Sequence, residues 1–262
     1  MQPRILILRA PGTNCDAETA YAFQRAGGDP RILHVGRVLE STQLLREFQV
    51  LCIPGGFSYG DDIGSGRILS AQLQSHLADA MQEFKAAGKL ILGICNGFQA
   101  LVKCGLLLEP DPAGGPPATL AWNLSGKFEA RWVRLVVDGT KCVFLSGIRD
   151  MYVPVKHGEG RFVARDEAAL AELVRQQQLA LRYAPLDASN QQLDLDRPLP
   201  YPDSPNGSQA NVAGICDTTG RVFGLMPHPE LHVDPTHHPR WTRGESGGDG
   251  LRLFQNAVRF FG

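Results

Sequence analysis

The stretch Lys89-Leu90-Ile91-Leu92-Gly93-Ile94-Cys95-Asn96-Gly97-Phe98-Gln99-Ala100-Leu101-Val102 changes its hydrophobic period within a single turn. Residues 89–94 are almost continuously apolar and of strand length, as expected for a strand covered on both faces. Beyond Cys95, the residues Phe98, Leu101 and Val102 recur on one helical face, and Gly105 is placed to end that helix. Cys95 therefore falls on a sharp strand-to-helix turn of the nucleophile-elbow type. A side chain at Gly93 or Gly97 would crowd such a turn. The helix N-terminus behind Cys95 favours negative charge on its sulfur, and the Asn96 backbone N–H is offered to a developing oxyanion. A buried packing residue is the common fate of cysteine. Cys15, Cys52, Cys104, Cys142 and Cys216 lack the elbow and are read in that way.

Working outward, the first hundred residues alternate β-rich runs with helical patterns, which predicts βα units feeding a mostly parallel sheet. Strands are expected at residues 4–8, 30–35, 49–53 and 89–94. Leu69, Leu73, Leu77, Ala80 and Phe84 predict a helix ahead of Gly88. The second half is less regular. It predicts mixed or antiparallel strands at residues 128–137, 151–155, 179–183 and 221–226, and Asp217-Thr218-Thr219-Gly220 reads as a hairpin turn. An amphipathic helix is expected over residues 250–261, with Leu251, Phe254, Val258 and Phe261 on one face. Residues 109–118 and 185–207 are rich in proline and glycine and read as surface loops. With no repeat and no linker composition, residues 1–262 are taken as a single domain.

Composition narrows the partners. Of 262 residues, 43% are hydrophobic and 20% charged, so a full core is within reach. The formal charge of −1 leaves no electrostatic footprint for nucleic acid or an anionic membrane. No stretch is long and apolar enough to span a bilayer, and residues 1–8 lack a signal-peptide pattern. Six dispersed cysteines without a C-x-x-C pair suit reduced thiols in the cytoplasm.

A nucleophilic thiol needs a base. Met226-Pro227-His228-Pro229-Glu230 supplies His228, and Pro229 favours an extended conformation that would turn the Glu230 carboxylate toward the imidazole. By itself His-Pro-Glu is a weak signal, since exposed histidines and glutamates are common; beside the elbow it completes a Cys-His-Glu set. A third element, Ile53-Pro54-Gly55-Gly56-Phe57-Ser58-Tyr59-Gly60-Asp61-Asp62, leaves another strand at the edge where α/β sheets gather ligands. Backbone N–H groups near Gly56 and Phe57 are candidates to complete the oxyanion hole. Against this stands a loop whose glycines only make turns, with Asp61 and Asp62 shaping them. His232, His237 and His238 have no second ligand cluster and are read as solvated loop histidines, so no metal site is expected.

Taken together, Pro54-Gly55-Gly56, Gly93-Ile94-Cys95-Asn96-Gly97-Phe98-Gln99 and Pro227-His228-Pro229-Glu230 resemble the class I glutamine amidotransferases. Further blocks are similar to one branch of these, the glutaminase subunits of phosphoribosylformylglycinamidine synthases. They are Pro11-Gly12-Thr13-Asn14-Cys15-Asp16, Gly55-Gly56-Phe57-Ser58-Tyr59-Gly60-Asp61, Asn123-Leu124-Ser125-Gly126-Lys127-Phe128, Arg131-Trp132-Val133, His157-Gly158-Glu159-Gly160-Arg161 and Pro205-Asn206-Gly207-Ser208. The resemblance implies a flavodoxin-like α/β three-layer sandwich and glutamine hydrolysis through a γ-glutamyl thioester. It implies Cys95 as nucleophile, His228 as base, Glu230 as its orienter, Gly56 and Asn96 bordering the oxyanion, and Gln99 helping to seat glutamine. It also implies a synthetase partner holding ATP, Mg²⁺ and formylglycinamide ribonucleotide, with a small accessory subunit in some assemblies. This chain has no G-x-x-x-x-G-K-[ST] match, so no cofactor is expected on it. After Tyr59-Gly60-Asp61 the family continues with Tyr-Leu-Arg, whereas this chain reads Asp62-Ile63-Gly64-Ser65-Gly66-Arg67. The tail Pro239-Arg240-Trp241-Thr242-Arg243 with Gly248-Asp249-Gly250-Leu251 is similar to the end of the fused synthases, while the start at Met1 favours a separate subunit.

Two rivals remain at this level. One is a cysteine hydrolase or peptidase of another α/β family, against which stands the order of the triad: in α/β-hydrolases the acid precedes the histidine. The other is a non-catalytic binding subunit that only stabilises a synthetase, against which stands the intact Cys-His-Glu set.

Overall fold

The computed structural model describes residues 2–110, 115–138, 140–187, 194, 197–244 and 247–262. The apolar runs of the first half become strands alternating with helices: β1 (Arg4–Arg9), α1 (Asp16–Arg25), β2 (Asp29–His34), α2 (Val35–Glu40), β3 (Val50–Ile53), α3 (Arg67–His76), α4 (Ala78–Ala86), β4 (Leu90–Ile94) and α5 (Asn96–Lys103). The second half supplies β5 (Ala118–Trp122), β6 (Glu129–Val137), β7 (Asp150–His157), β8 (Glu159–Ala164), α6 (Glu167–Arg175), β9 (Leu181–Ala184), β10 (Val212–Cys216), β11 (Val222–Leu225) and α7 (Leu251–Arg259).

Among the described residues one sheet takes the order β2-β1-β3-β4-β11-β10-β9-β6-β7, and β5 pairs with β8 in a separate two-stranded sheet. From β2 to β11 the pairings are parallel. From β11 to β7 they are antiparallel. Successive reversals restore direction, so β10 and β6 run against the other seven strands and the sheet is mostly parallel. Every residue of β3 and β4 is buried, so helices cover the middle of the sheet on both faces. Phe23 of α1 meets Phe254 of α7 edge to face at 4.9 Å, while α3 packs with α4 and α5. None of these helices is long and apolar enough to cross a membrane.

The structure departs from the expected elements in particular places. The single helix predicted around residues 69–84 is two, broken at Leu77, whose φ of −123° and ψ of 2° are not helical. Leu73, Leu77 and Met81 are buried on both sides of the break, so periodicity reports their burial and not helix continuity. On α7 the buried residues are Leu253, Phe254, Asn256 and Ala257, a face rotated from the expected one. Strands β5, β8 and β10 and helix α6 carry no sequence expectation. Asp217 and Gly220 do close the β10–β11 hairpin, through a Gly220 N–H donated to the Asp217 carbonyl at 3.1 Å. Of the two expected loops, residues 111–114, 188–193, 195 and 196 lie outside the described residues.

Candidate active site

Cys95 joins β4 to α5 with φ 51° and ψ −105°, a conformation that non-glycine residues rarely take. The turn is held from all sides. A Cβ on Gly97 would lie 1.9 Å from the Ile53 carbonyl oxygen, and one on Gly93 would lie 2.8 Å from that of Gly97. A side chain at either glycine would crowd the turn, as expected, and at Gly97 the obstacle is the end of β3, which the sequence did not foretell. The Cys95 N–H donates to the Leu225 carbonyl at 2.8 Å, fastening the nucleophile to β11. Its thiol faces the Lys156 carbonyl at 3.6 Å, and the residue is 5% exposed. Asn96 is the first residue of α5, where a backbone N–H has no intrahelical acceptor.

Because β11 runs parallel beside β4, the chain leaving Leu225 emerges at the same edge as Cys95. There His228 is buried, with its N–H donated to the Pro154 carbonyl at 2.8 Å. Its Nδ1 lies 2.6 Å from Glu230 Oε1. The pair meets by a different route from the extended one predicted: Pro229–Leu231 is a short 3₁₀ turn that brings the carboxylate back under the ring. Glu230 takes Nδ1, so Nε2 is the nitrogen left for the sulfur; it is buried and without a partner among the described residues. Burial disfavours the imidazolium. The Glu230 carboxylate, followed by the Cys95 and Cys15 sulfurs, outweighs that cost and holds His228 well above its ordinary proton affinity.

The glycine-rich loop reaches the same edge from β3. A Cβ at Gly55 would stand 2.7 Å from His228 Cε1, so only glycine lets the loop lie against the imidazole. The segment from Pro11 to Cys15 braces it. The Phe57 N–H donates to the Gly12 carbonyl at 3.0 Å, and the Cys15 N–H to the Gly55 carbonyl at 3.2 Å. This corrects one expectation: the Phe57 N–H is already committed and is not an oxyanion donor. Gly56 faces Thr13 in an isolated antiparallel bridge whose hydrogen bonds are made by its neighbours. Its N–H has no backbone acceptor among the described residues, and with that of Asn96 it remains a candidate oxyanion donor. The Phe57 side chain is half exposed and lies 6.3 Å from the Phe128 ring.

Gln99 is a second correction. Its Oε1 accepts from Asn96 Nδ2 at 2.9 Å, and its Nε2 donates to the Glu159 carbonyl, so its amide is spent on joining α5 to the start of β8. Any hold on glutamine is indirect. Asn96 acts likewise through its side chain: Oδ1 accepts from the Ser58 N–H at 3.1 Å and Nδ2 donates to Asp61 Oδ1 at 3.0 Å. Asp61 also accepts from the Gly66 N–H at 3.0 Å, which bears out its turn-shaping role and adds an anchor for Asn96.

Two residues near the site escaped the sequence reading. Cys15, taken for packing, lies with its Sγ 3.9 Å from His228 Nδ1. His157 is buried with its Nδ1 3.0 Å from Asn123 Oδ1, and burial, with the His228 charge adding, lowers its pKa to about 3. Both stand in blocks that carry the family resemblance, yet neither has a local chemical signature. Cys15, His228 and Glu230 offer ligand atoms within 4.8 Å of one another, the one such group among the described residues. The separation of 2.6 Å between Nδ1 and Oε1 is that of a hydrogen bond and leaves no room for an ion between them. His232 and His238, expected in solvent, are instead buried against Trp132 and Tyr152. Both His232 nitrogens are used, Nδ1 by the Tyr152 carbonyl and Nε2 by the Gly248 N–H.

Comparison with known proteins places these features in a wider set. Residues 2–261 match the model of the CobB/CobQ-like glutamine amidotransferase domain. The phosphoribosylformylglycinamidine synthase subunit PurQ of Dehalococcoides mccartyi is 44% identical over 260 residues, covering 98% of this chain and 97% of that protein. Its counterpart from Methanococcus maripaludis is 38% identical over 272 residues, covering 99% and 97%. Among solved structures, PurLQS from Thermotoga maritima has a chain that superposes with a TM-score of 0.74 at 30% identity, covering 100% of both chains.

Proposed function

The chain belongs to the CobB/CobQ-like glutamine amidotransferase family, and from that premise we propose that it is the glutaminase subunit of a phosphoribosylformylglycinamidine synthase in purine biosynthesis. The observation that carries the reading is the buried His228–Glu230 pair, 2.6 Å apart, which leaves β11 at the same edge as Cys95 of β4, near enough for the Cys95 sulfur to favour the protonated ring. Relatives named phosphoribosylformylglycinamidine synthase subunit PurQ, at 44% and 38% identity over nearly the whole chain, support the assignment to that synthase.

In this mechanism the Cys95 thiolate attacks the side-chain amide carbon of glutamine. The N–H groups of Gly56 and Asn96 hold the oxyanion, each worth about 3 kcal/mol in such sites. The His228 imidazolium, kept protonated by Glu230, gives its proton to the leaving nitrogen, and ammonia departs from a γ-glutamyl thioester. Neutral His228 then takes a proton from water, whose oxygen attacks the thioester carbonyl; glutamate leaves and the thiolate is restored. Ammonia released into bulk water would be protonated and lost as a nucleophile. It is therefore passed to a synthetase subunit, which holds ATP and Mg²⁺ and converts formylglycinamide ribonucleotide to the amidine. The setting is cytoplasmic, in keeping with six free cysteines.

The test is Cys95→Ala in the reconstituted complex. Glutamine hydrolysis should fall to background while synthesis from added ammonia persists; equal loss of both would contradict this division of labour.

A further inference from the structure

We propose that Cys15 is a positioning residue for His228: its sulfur backs the imidazole and keeps Nδ1 aligned on Glu230 while Nε2 is presented to Cys95. The proposal rests on the glutaminase reading and extends it to a residue outside the Cys-His-Glu set.

Three observations converge on this sulfur. Its thiol donates to Asn14 Oδ1 at 3.3 Å, which turns its lone pairs away from Asn14, and His228 Nδ1 lies 3.9 Å from it. A Cβ built on Gly55 would stand 3.5 Å from Cys15 Sγ and 2.7 Å from His228 Cε1, so the sulfur, the Gly55 backbone and the ring share one packed contact. The backbone beneath the sulfur is fixed twice. The Cys15 N–H donates to the Gly55 carbonyl at 3.2 Å, and the Cys15 carbonyl accepts from the Thr19 N–H at 3.0 Å in the first turn of α1. Cys15 is 4% exposed, so water does not compete for the contact.

The physical need is plain. An imidazole held only by its Glu230 hydrogen bond can pivot about that bond, and a small displacement of a catalytic group is costly in rate. A polarizable sulfur against Nδ1 limits the pivot and tolerates positive charge on the ring. One residue thereby links the oxyanion loop, the base and the start of α1.

Cys15→Ala and Cys15→Ser are to be compared with the unaltered chain in the reconstituted complex. For Cys15→Ala we expect glutaminase kcat to fall about tenfold. The KM for glutamine should change less than twofold, and ammonia-dependent synthesis should be unchanged, which reports folding and docking. The alkaline limb of the kcat–pH profile should move to lower pH, since the sulfur favours the protonated ring. Cys15→Ser should recover part of both changes. An alanine variant with unchanged kcat and pH profile overturns the proposal. So does one whose activity falls while its alkaline limb stays in place, because that is the signature of packing alone. Were the unaltered chain itself to lack glutaminase activity with its partner, the functional reading would fail instead, and the two failures are thereby told apart.

Discussion

At the scale of single residues the site works by opposing forces of unequal size. His228 is buried, which by itself would strip its proton, yet a carboxylate at 2.6 Å reverses the balance. Replacing Glu230 by Gln removes the charge and keeps the shape. We expect the alkaline limb of the glutaminase kcat–pH profile to move to lower pH, because His228 then loses its proton sooner, and kcat to drop by about 100-fold or more. A steady-state pH series on the complex measures both. His157 shows the opposite outcome. Asn123 Nδ2 donates to the Lys127 and His157 carbonyls, so its Oδ1 is left to accept from His157 Nδ1–H. That bond fixes the Nδ1–H tautomer, while burial, with the His228 charge adding, favours the neutral ring.

At the scale of elements the site is a contact between strand ends and one helix. β4 carries the nucleophile, β11 leads to the base, and β3 leads to the loop, with α5 seated on all three. The closest approach is Gly97, where a Cβ would meet the Ile53 carbonyl oxygen at 1.9 Å. That obstacle is backbone and cannot rotate away, so Gly97→Ala must push α5 off β3. We expect a loss of about 2–4 kcal/mol, read as a lower urea midpoint, together with lost glutaminase activity. An unchanged midpoint would mean that α5 is not seated as described. β7 contributes as well. Although it is the last strand of the sheet, its Pro154 and Lys156 carbonyls return to accept from the His228 N–H and the Cys95 thiol.

At the scale of the whole molecule, the buried histidines couple the site to stability in opposite senses. For His157 the folded pKa is lowered to about 3 against an ordinary 6.5. Its contribution is thus complete above pH 6.5 and is lost as pH falls from there to 3, because the unfolded chain takes up a proton that the folded chain refuses. The full span corresponds to about 5 kcal/mol. His228 runs the other way: its contribution is complete below the unfolded value of 6.5 and fades as pH rises through its raised folded pKa. Urea unfolding at neutral and mildly acid pH should therefore show a smaller acid loss for His157→Gln than for the unaltered chain; equal losses would remove His157 from the account.

What the sequence alone determined is what short-range sterics and hydrophobic period govern. The elbow at Cys95 was legible because its two glycines, its buried strand and its helix all lie within a few residues, and the pairing of His228 with Glu230 was legible from their spacing of two, though not the 3₁₀ turn that achieves it. The parallel half of the sheet was legible for the same reason. Tertiary structure decided the rest. Phe57 lost its N–H to Gly12, Gln99 spent its amide on Asn96 and Glu159, and Cys15 came to rest beside an imidazole 213 positions away. Those outcomes depend on which distant backbone groups face each other once the strands have docked. A loop's own residue types do not encode that, because every N–H and carbonyl carries the same chemistry until a neighbour is set before it.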